Sequence, residues 1–174
     1  MQRLKGDASD FAGGVGPDRR QVVARTRELT AEIAERTHAE SALRESEERY
    51  RQVFQRAPIG VFHYDAGLRI TDCNDRFVRI LRSTRERLVG LDMNTLGDGR
   101  VLPSIRQAVT GGHGDYDGPY LATTSTAELA VSIRTAPLRR EDGTIVGGIG
   151  IVEDMTEHVR LEEQLRQSQK MEAV

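Results

Sequence analysis

The side chains in this 174-residue sequence whose types could do chemistry are His38, His63, His113 and His158, the single Cys73, and Asp115 and Asp117 close to His113. Imidazole and carboxylate groups within five residues can hold a cation or move a proton. Here, however, the run Gly111-Gly112-His113-Gly114 reads better as a glycine-flanked surface loop. The same run is no phosphate cradle, because it follows a helical segment instead of opening one and lacks the Lys-Ser/Thr ending. Each of the four histidines could in principle serve haem iron as an axial ligand. Cys73 stands before Asn74 at the end of an alternating stretch and reads as a packing residue or an ordinary thiol. No catalytic residue and no metal site is expected.

Asp154 and Thr156 have a different kind of chemistry available. They fall where the last apolar-alternating segment gives way to a helical one, and both can bond the backbone donors left free at a helix start. The plain reading is a cap, with Asp154 well placed near the helix dipole, worth about 1 kcal/mol.

The elements that must position these groups follow from pattern. The 25 Lys+Arg nearly balance 27 Asp+Glu, so no net charge draws the chain to nucleic acid or an anionic membrane. One cysteine excludes an internal disulfide framework and a multi-thiolate zinc site and fits the cytoplasm. No apolar run approaches the ~20 residues of a membrane span, and Met1 to Gly16 has no apolar stretch like a secretory signal. The chain is therefore expected to make no membrane contact itself, although a longer parent could be membrane-attached.

Residues 1–18 are rich in Gly, Asp and Ser and are expected to be disordered. From 19 to 55 there is no Gly or Pro, and Val22, Thr26, Leu29, Ile33, Arg36, Glu40, Leu43, Glu47, Tyr50 and Phe54 recur at alternating steps of four and three. This spacing predicts a long helix with a coiled-coil seam, and hence a homodimer, in which Val22, Leu29, Ile33, Leu43 and Tyr50 are the apolar contacts. Arg36, Glu40 and Glu47 weaken the seam, and a solvated single helix held by pairs such as Glu40 with Arg44 is the plainer alternative.

Pro58 ends the helix. Ile59–Tyr64 and Leu68–Cys73 then read as two strands around the turn Asp65-Ala66-Gly67. Asn74-Asp75 can cap a short helix with Phe77, Val78, Ile80 and Leu81 on its apolar face, and Ser83-Thr84 another through Leu88. A longer helix follows from Arg100 to Thr110, ended by Gly111-Gly112. Strands are expected near 116–123, 128–138 and 144–152, the last two joined at Asp142-Gly143. A final helix begins at Thr156, capped by that residue, with Leu161 and Leu165 spaced from His158. Two strands, several short helices and three strands imply one antiparallel sheet with helices on one face.

That order, over residues 45–156, resembles the PAS domain. The matching stretches are Leu43-Arg44-Glu45-Ser46-Glu47-Glu48-Arg49-Tyr50-Arg51, Cys73-Asn74-Asp75-Arg76-Phe77, Leu88-Val89-Gly90, Asp142-Gly143-Thr144 and Glu153-Asp154-Met155-Thr156. The resemblance implies an α+β fold: a five-stranded antiparallel sheet with short helices on one face, flanked by long N-terminal and C-terminal helices. Its parts would be a helical connector at 19–55, the PAS domain at 56–156 and a signalling helix at 157–174. The segment from Arg27-Glu28-Leu29 to Ala42-Leu43 resembles the signalling helix that leads into such domains in histidine kinases. The tail from Leu161 to Val174 is similar to the connector before their phosphoacceptor helix.

The resemblance also implies a role for each site. Asp154 and Thr156 become a lever between sheet and C-terminal helix. Phe62, Tyr64, Asn74, Phe77, Leu81, Val101, Ile105, Leu129, Val131 and Ile149 become candidates to line a ligand pocket, most of them also ordinary core. No cofactor is predicted, although a small-molecule ligand fits the fold. Haem is not expected, since haem-binding relatives place the axial ligand on the long helix, and flavin is not, since Cys73 lacks the Asn-Cys-Arg setting of light sensors. The function implied is sensing and relay to a downstream kinase domain, with no catalysis by this chain. A ligand-free dimerisation spacer, and a regulator of a cyclic-dinucleotide enzyme or phosphatase, remain open.

Overall fold

The computed structural model describes residues 16 and 18–173. The segment expected to be disordered lies outside them apart from Gly16 and Asp18. The chain divides after Arg49 into two units.

With no helix breaker before Pro58, the first helix, α1 (Arg19–Arg56), runs for 38 residues. Its residues up to 49 are exposed throughout. Val22, Leu29, Ile33 and Leu43 are 46%, 44%, 64% and 60% exposed, so this apolar row finds no cover within its own helix. Arg36 Nε donates to Glu40 Oε1 at 3.1 Å, one turn along.

The second unit opens with the last two turns of α1. It continues through β1 (Gly60–Asp65), β2 (Ile70–Cys73), α2 (Asp75–Ile80), α3 (Arg85–Leu88), two 3-10 turns at Met93–Thr95 and Gly99–Val101, and α4 (Leu102–Val109). Then come β3 (Gly114–Leu121), β4 (Glu128–Arg139), β5 (Ile145–Asp154) and α5 (Thr156–Glu172). The five strands form one sheet in the order β2-β1-β5-β4-β3, with every neighbouring pair antiparallel. The expected α+β fold is the fold observed. Gly111 and Gly143 take positive φ, at 98° and 83°, where the sequence placed the end of α4 and the β4–β5 turn.

Alternation along the strands sends one face to the helices. Phe62 and Tyr64 of β1, Leu129, Val131 and Ile133 of β4 and Val152 of β5 join Phe77, Leu88, Val101 and Ile105 in a single apolar core. The fit between β1 and β5 depends on glycine. Phe62 pairs with Gly150 and Tyr64 with Gly148, and a methyl group at either glycine would run into the ring opposite. Two large rings can therefore lie flat across the neighbouring strand. The helix α1 contributes one buried residue to this unit, Phe54 at 7% exposure, so the seam read from sequence stops short of it.

Candidate functional site

Two junctions join flanking helices to the sheet, and both are polar. At the first, Asn74 is completely buried and caps α2. Its Oδ1 accepts from Phe77 N and from Val61 N, each at 2.9 Å. Its Nδ2 donates to Phe54 O in the last turn of α1 and to Ile59 O, each at 2.9 Å. The amide's two donors and two acceptor positions are thus all spent. Gln55 of α1 adds a bond of its own, its Oε1 accepting from Asp75 N at 3.1 Å. Asn74 is therefore a clamp between α1, β1 and α2, and no pocket residue as the sequence suggested.

At the second junction, β5 runs directly into α5. Asp154 Oδ1 accepts from both Thr156 N and Thr156 Oγ1. The same threonine oxygen accepts from Ala130 N of β4 at 3.1 Å, and Met155 N donates to Ala130 O at 2.7 Å. Thr156 is consequently the first helical residue, not the cap: Asp154 satisfies its amide, while its hydroxyl reaches across to the neighbouring strand. Thr84, the other expected threonine cap, holds the cap position of α3 without a side-chain bond to the backbone there.

Between sheet and helices lies a residual cavity of about 40 Å³, well below the ~300–1,000 Å³ of ordinary ligand pockets. Of the expected lining, Phe62, Phe77, Leu81, Val101, Ile105 and Val131 border it, and Leu88, Met93, Tyr120 and Ile133 are walls the sequence reading missed. Tyr64 and Leu129 are packed in the core but do not border the cavity. Tyr64 donates its hydroxyl to Ile105 O at 3.0 Å, and burial pushes its phenol up to about 12. Ile149 lies on the opposite face of the sheet, because the inward register of β5 belongs to Gly148, Gly150 and Val152. It borders a shallow outer groove with Ile151, Ala136 and Arg134.

Asp117, Cys73 and Asp98 are held by pairing or burial. Arg134 on β4 donates to both oxygens of Asp117, at 3.1 and 2.9 Å, and those bonds hold the carboxyl below its usual range. Asp117 is thus committed to Arg134 and not to His113. Among the described residues no group of three His, Cys, Asp or Glu is placed to hold a metal ion. Cys73 is fully buried, and desolvation pushes its thiol up to about 11. Asp98, not singled out from sequence, is a buried anchor: it accepts from the Arg100 guanidinium and from Leu121 N, and the Arg100 contact holds it far below the carboxylate range. Of the seam residues only Tyr50 belongs to this unit. It stacks on Phe54 with ring centroids 5.7 Å apart while remaining 54% exposed.

A sheet in the order 2-1-5-4-3, with a helical layer on one face and polar joints to a helix on each side, defines a class of α+β domain. A family model of the PAS fold matches residues 54–160, and the chain belongs to that family. Solved structures agree. The PAS domain of a Colwellia psychrerythraea protein is 20% identical with a TM-score of 0.55, covering 63% of this chain and 97% of its own. A domain of a sensory box sensor histidine kinase/response regulator from Geobacter sulfurreducens is 25% identical with a TM-score of 0.52, covering 64% and 96%. The PAS domain of Bordetella pertussis BvgS is 22% identical with a TM-score of 0.51, covering 74% and 98%. The chain is thus a PAS sensory domain similar to those of histidine kinases and other signalling proteins. No helix among the described residues is long and apolar enough to cross a membrane.

Proposed function

We propose that this chain is the signal-relay PAS module of a multidomain histidine kinase, acting as a cytoplasmic homodimer whose paired α1 helices feed the sheet and whose α5 helices lead to the kinase domain. The observation that carries this reading is that the two helix joints converge on adjacent strands. Asn74 fixes the end of α1 to β1, β1 pairs with β5 along its whole length from Gly60 to Asp65, and β5 continues into the Asp154–Thr156 joint. A displacement at the α1 end then has a short covalent and hydrogen-bonded route to α5. Such a relay requires two arrangements that the input biases unequally.

The exposed row Val22, Leu29, Ile33 and Leu43 supports pairing of two copies, because an apolar stripe at heptad spacing is stabilised by a second identical stripe. The near-filled core favours input arriving through α1 over a ligand bound inside, and hence neither haem nor flavin. It also favours the second reading, a ligand-free dimerisation spacer, which shares the seam but not the relay.

Native mass spectrometry tests the assembly. The wild type should give a dimer without added small-molecule mass, and Leu29→Asp with Leu43→Asp should give a folded monomer. A wild-type monomer at micromolar concentration would contradict the seam, and retained mass would contradict ligand-free input.

A further inference from the structure

The end of α1 is held to β1 by rings as well as by Asn74. Phe54 stacks on the His63 imidazole with centroids 5.3 Å apart. The Tyr50 hydroxyl lies 3.4 Å from His63 Nε2, and it can donate to that nitrogen only when the ring is neutral. His63 lies on the outer face of β1, in line with Val61 and Asp65. Its cross-strand neighbours are Asp72 on β2 and Ile149 on β5. Asp72 is bonded in turn to Arg85 of α3, and Arg85 also donates to Cys73 O. The groups facing the imidazole are thus Tyr50 and Phe54 from α1, Asp72 with its bound Arg85 from β2 and α3, and an apolar side chain from β5.

We propose that His63 is a proton-sensitive latch: the neutral ring keeps residues 50–56 docked on β1, and the imidazolium loosens them. The physical reason is twofold. Protonation takes away the ring's one acceptor nitrogen, so the Tyr50 hydroxyl can no longer donate to it, and it places a positive charge at a half-buried position stacked on Phe54. Its natural counter-ion, Asp72, is already engaged by Arg85. The face of Phe54 and the field of Asp72 offset part of that cost, yet burial dominates and lowers the pKa of His63 from its ordinary 6.5. The docked state therefore binds fewer protons than the undocked one. Docking is at full strength above the ordinary histidine pKa and weakens as pH falls towards and through the lowered value. The latch deepens the relay reading, on which it rests for its consequence: mild acidification would reach α5 through the α1 joint.

Two measurements on the 174-residue protein decide it. The imidazole resonances of His63 should titrate below 6.5. Amide exchange of residues 50–56, corrected for the intrinsic rate, should lose protection several-fold between about pH 7.5 and 5.0, with residues 128–139 unchanged. His63→Phe keeps the stack and cannot titrate, so its residues 50–56 should exchange equally at both pH values. Titration of His63 at or above the ordinary value, or the same loss of protection in His63→Phe, would overturn the latch. If His63→Phe does not fold, the wild-type titration decides alone. A latch that opens while residues 156–172 stay unchanged would instead count against the relay.

Discussion

The two helix joints solve one problem in opposite ways. The α1 joint is dry: Asn74 has no exposure and four bonds, each to a backbone group. The α5 joint is wet: Asp154 and Thr156 are both exposed and share a handful of bonds with Ala130 and each other. Buried polar bonds are costly to break and exposed ones are cheap, because water replaces the lost partner. The contrast suits the proposed relay, in which α1 would be the firm input mount and α5 the yielding output mount, and substitutions at each joint test it.

The largest effect should come from Asn74→Ala, which strands two amides and two carbonyls away from water and should lower stability by about 3–5 kcal/mol, read as a shifted urea midpoint. A loss near 1 kcal/mol would mean that the dry joint is no firmer than the wet one. Next, Gly150→Val forces a branched side chain into the Phe62 ring on the strand pair that links the joints. Overpacking of this kind should cost about 1–3 kcal/mol, measurable in the same titration. Thr156→Val keeps the shape and removes the hydroxyl bonds at the exposed joint, so it should cost about 1 kcal/mol while raising amide exchange in the first turns of α5. The smallest effect on the core should follow Leu29→Asp, within about 0.5 kcal/mol for unfolding of the PAS unit. Its consequence should appear in the oligomeric mass.

The element order was readable because the breaks are chemical: Pro58, Asp65-Ala66-Gly67, Gly111-Gly112 and Asp142-Gly143 each interrupt a periodic run. The lining of the core was readable where apolar residues alternate with polar ones, as in β4. It was misread in β5, where the inward positions are Gly148 and Gly150 and the conspicuous apolar residue between them, Ile149, faces outward. Glycines that make room for rings on another strand leave no local trace of which face they occupy. Asn74 was recognisable as a helix cap, but its bonds to Phe54 and Ile59 depend on tertiary placement that no local pattern encodes. Phe54 continued the seam at the correct spacing but is buried within its own chain, stacked between Tyr50 and His63 on the outer face of β1.

The central claim is that the two joints communicate through β1 and β5, and one measurement addresses it directly. Leu43→Cys, placed in the exposed row of α1, allows two copies to be joined by a disulfide while Cys73 stays buried, and amide exchange of residues 156–172 can be compared between the joined and reduced forms. The account predicts a change in protection concentrated at the start of α5 when α1 is pinned. Identical exchange in the two forms, with the disulfide verified by mass, would contradict it and leave a dimerisation spacer.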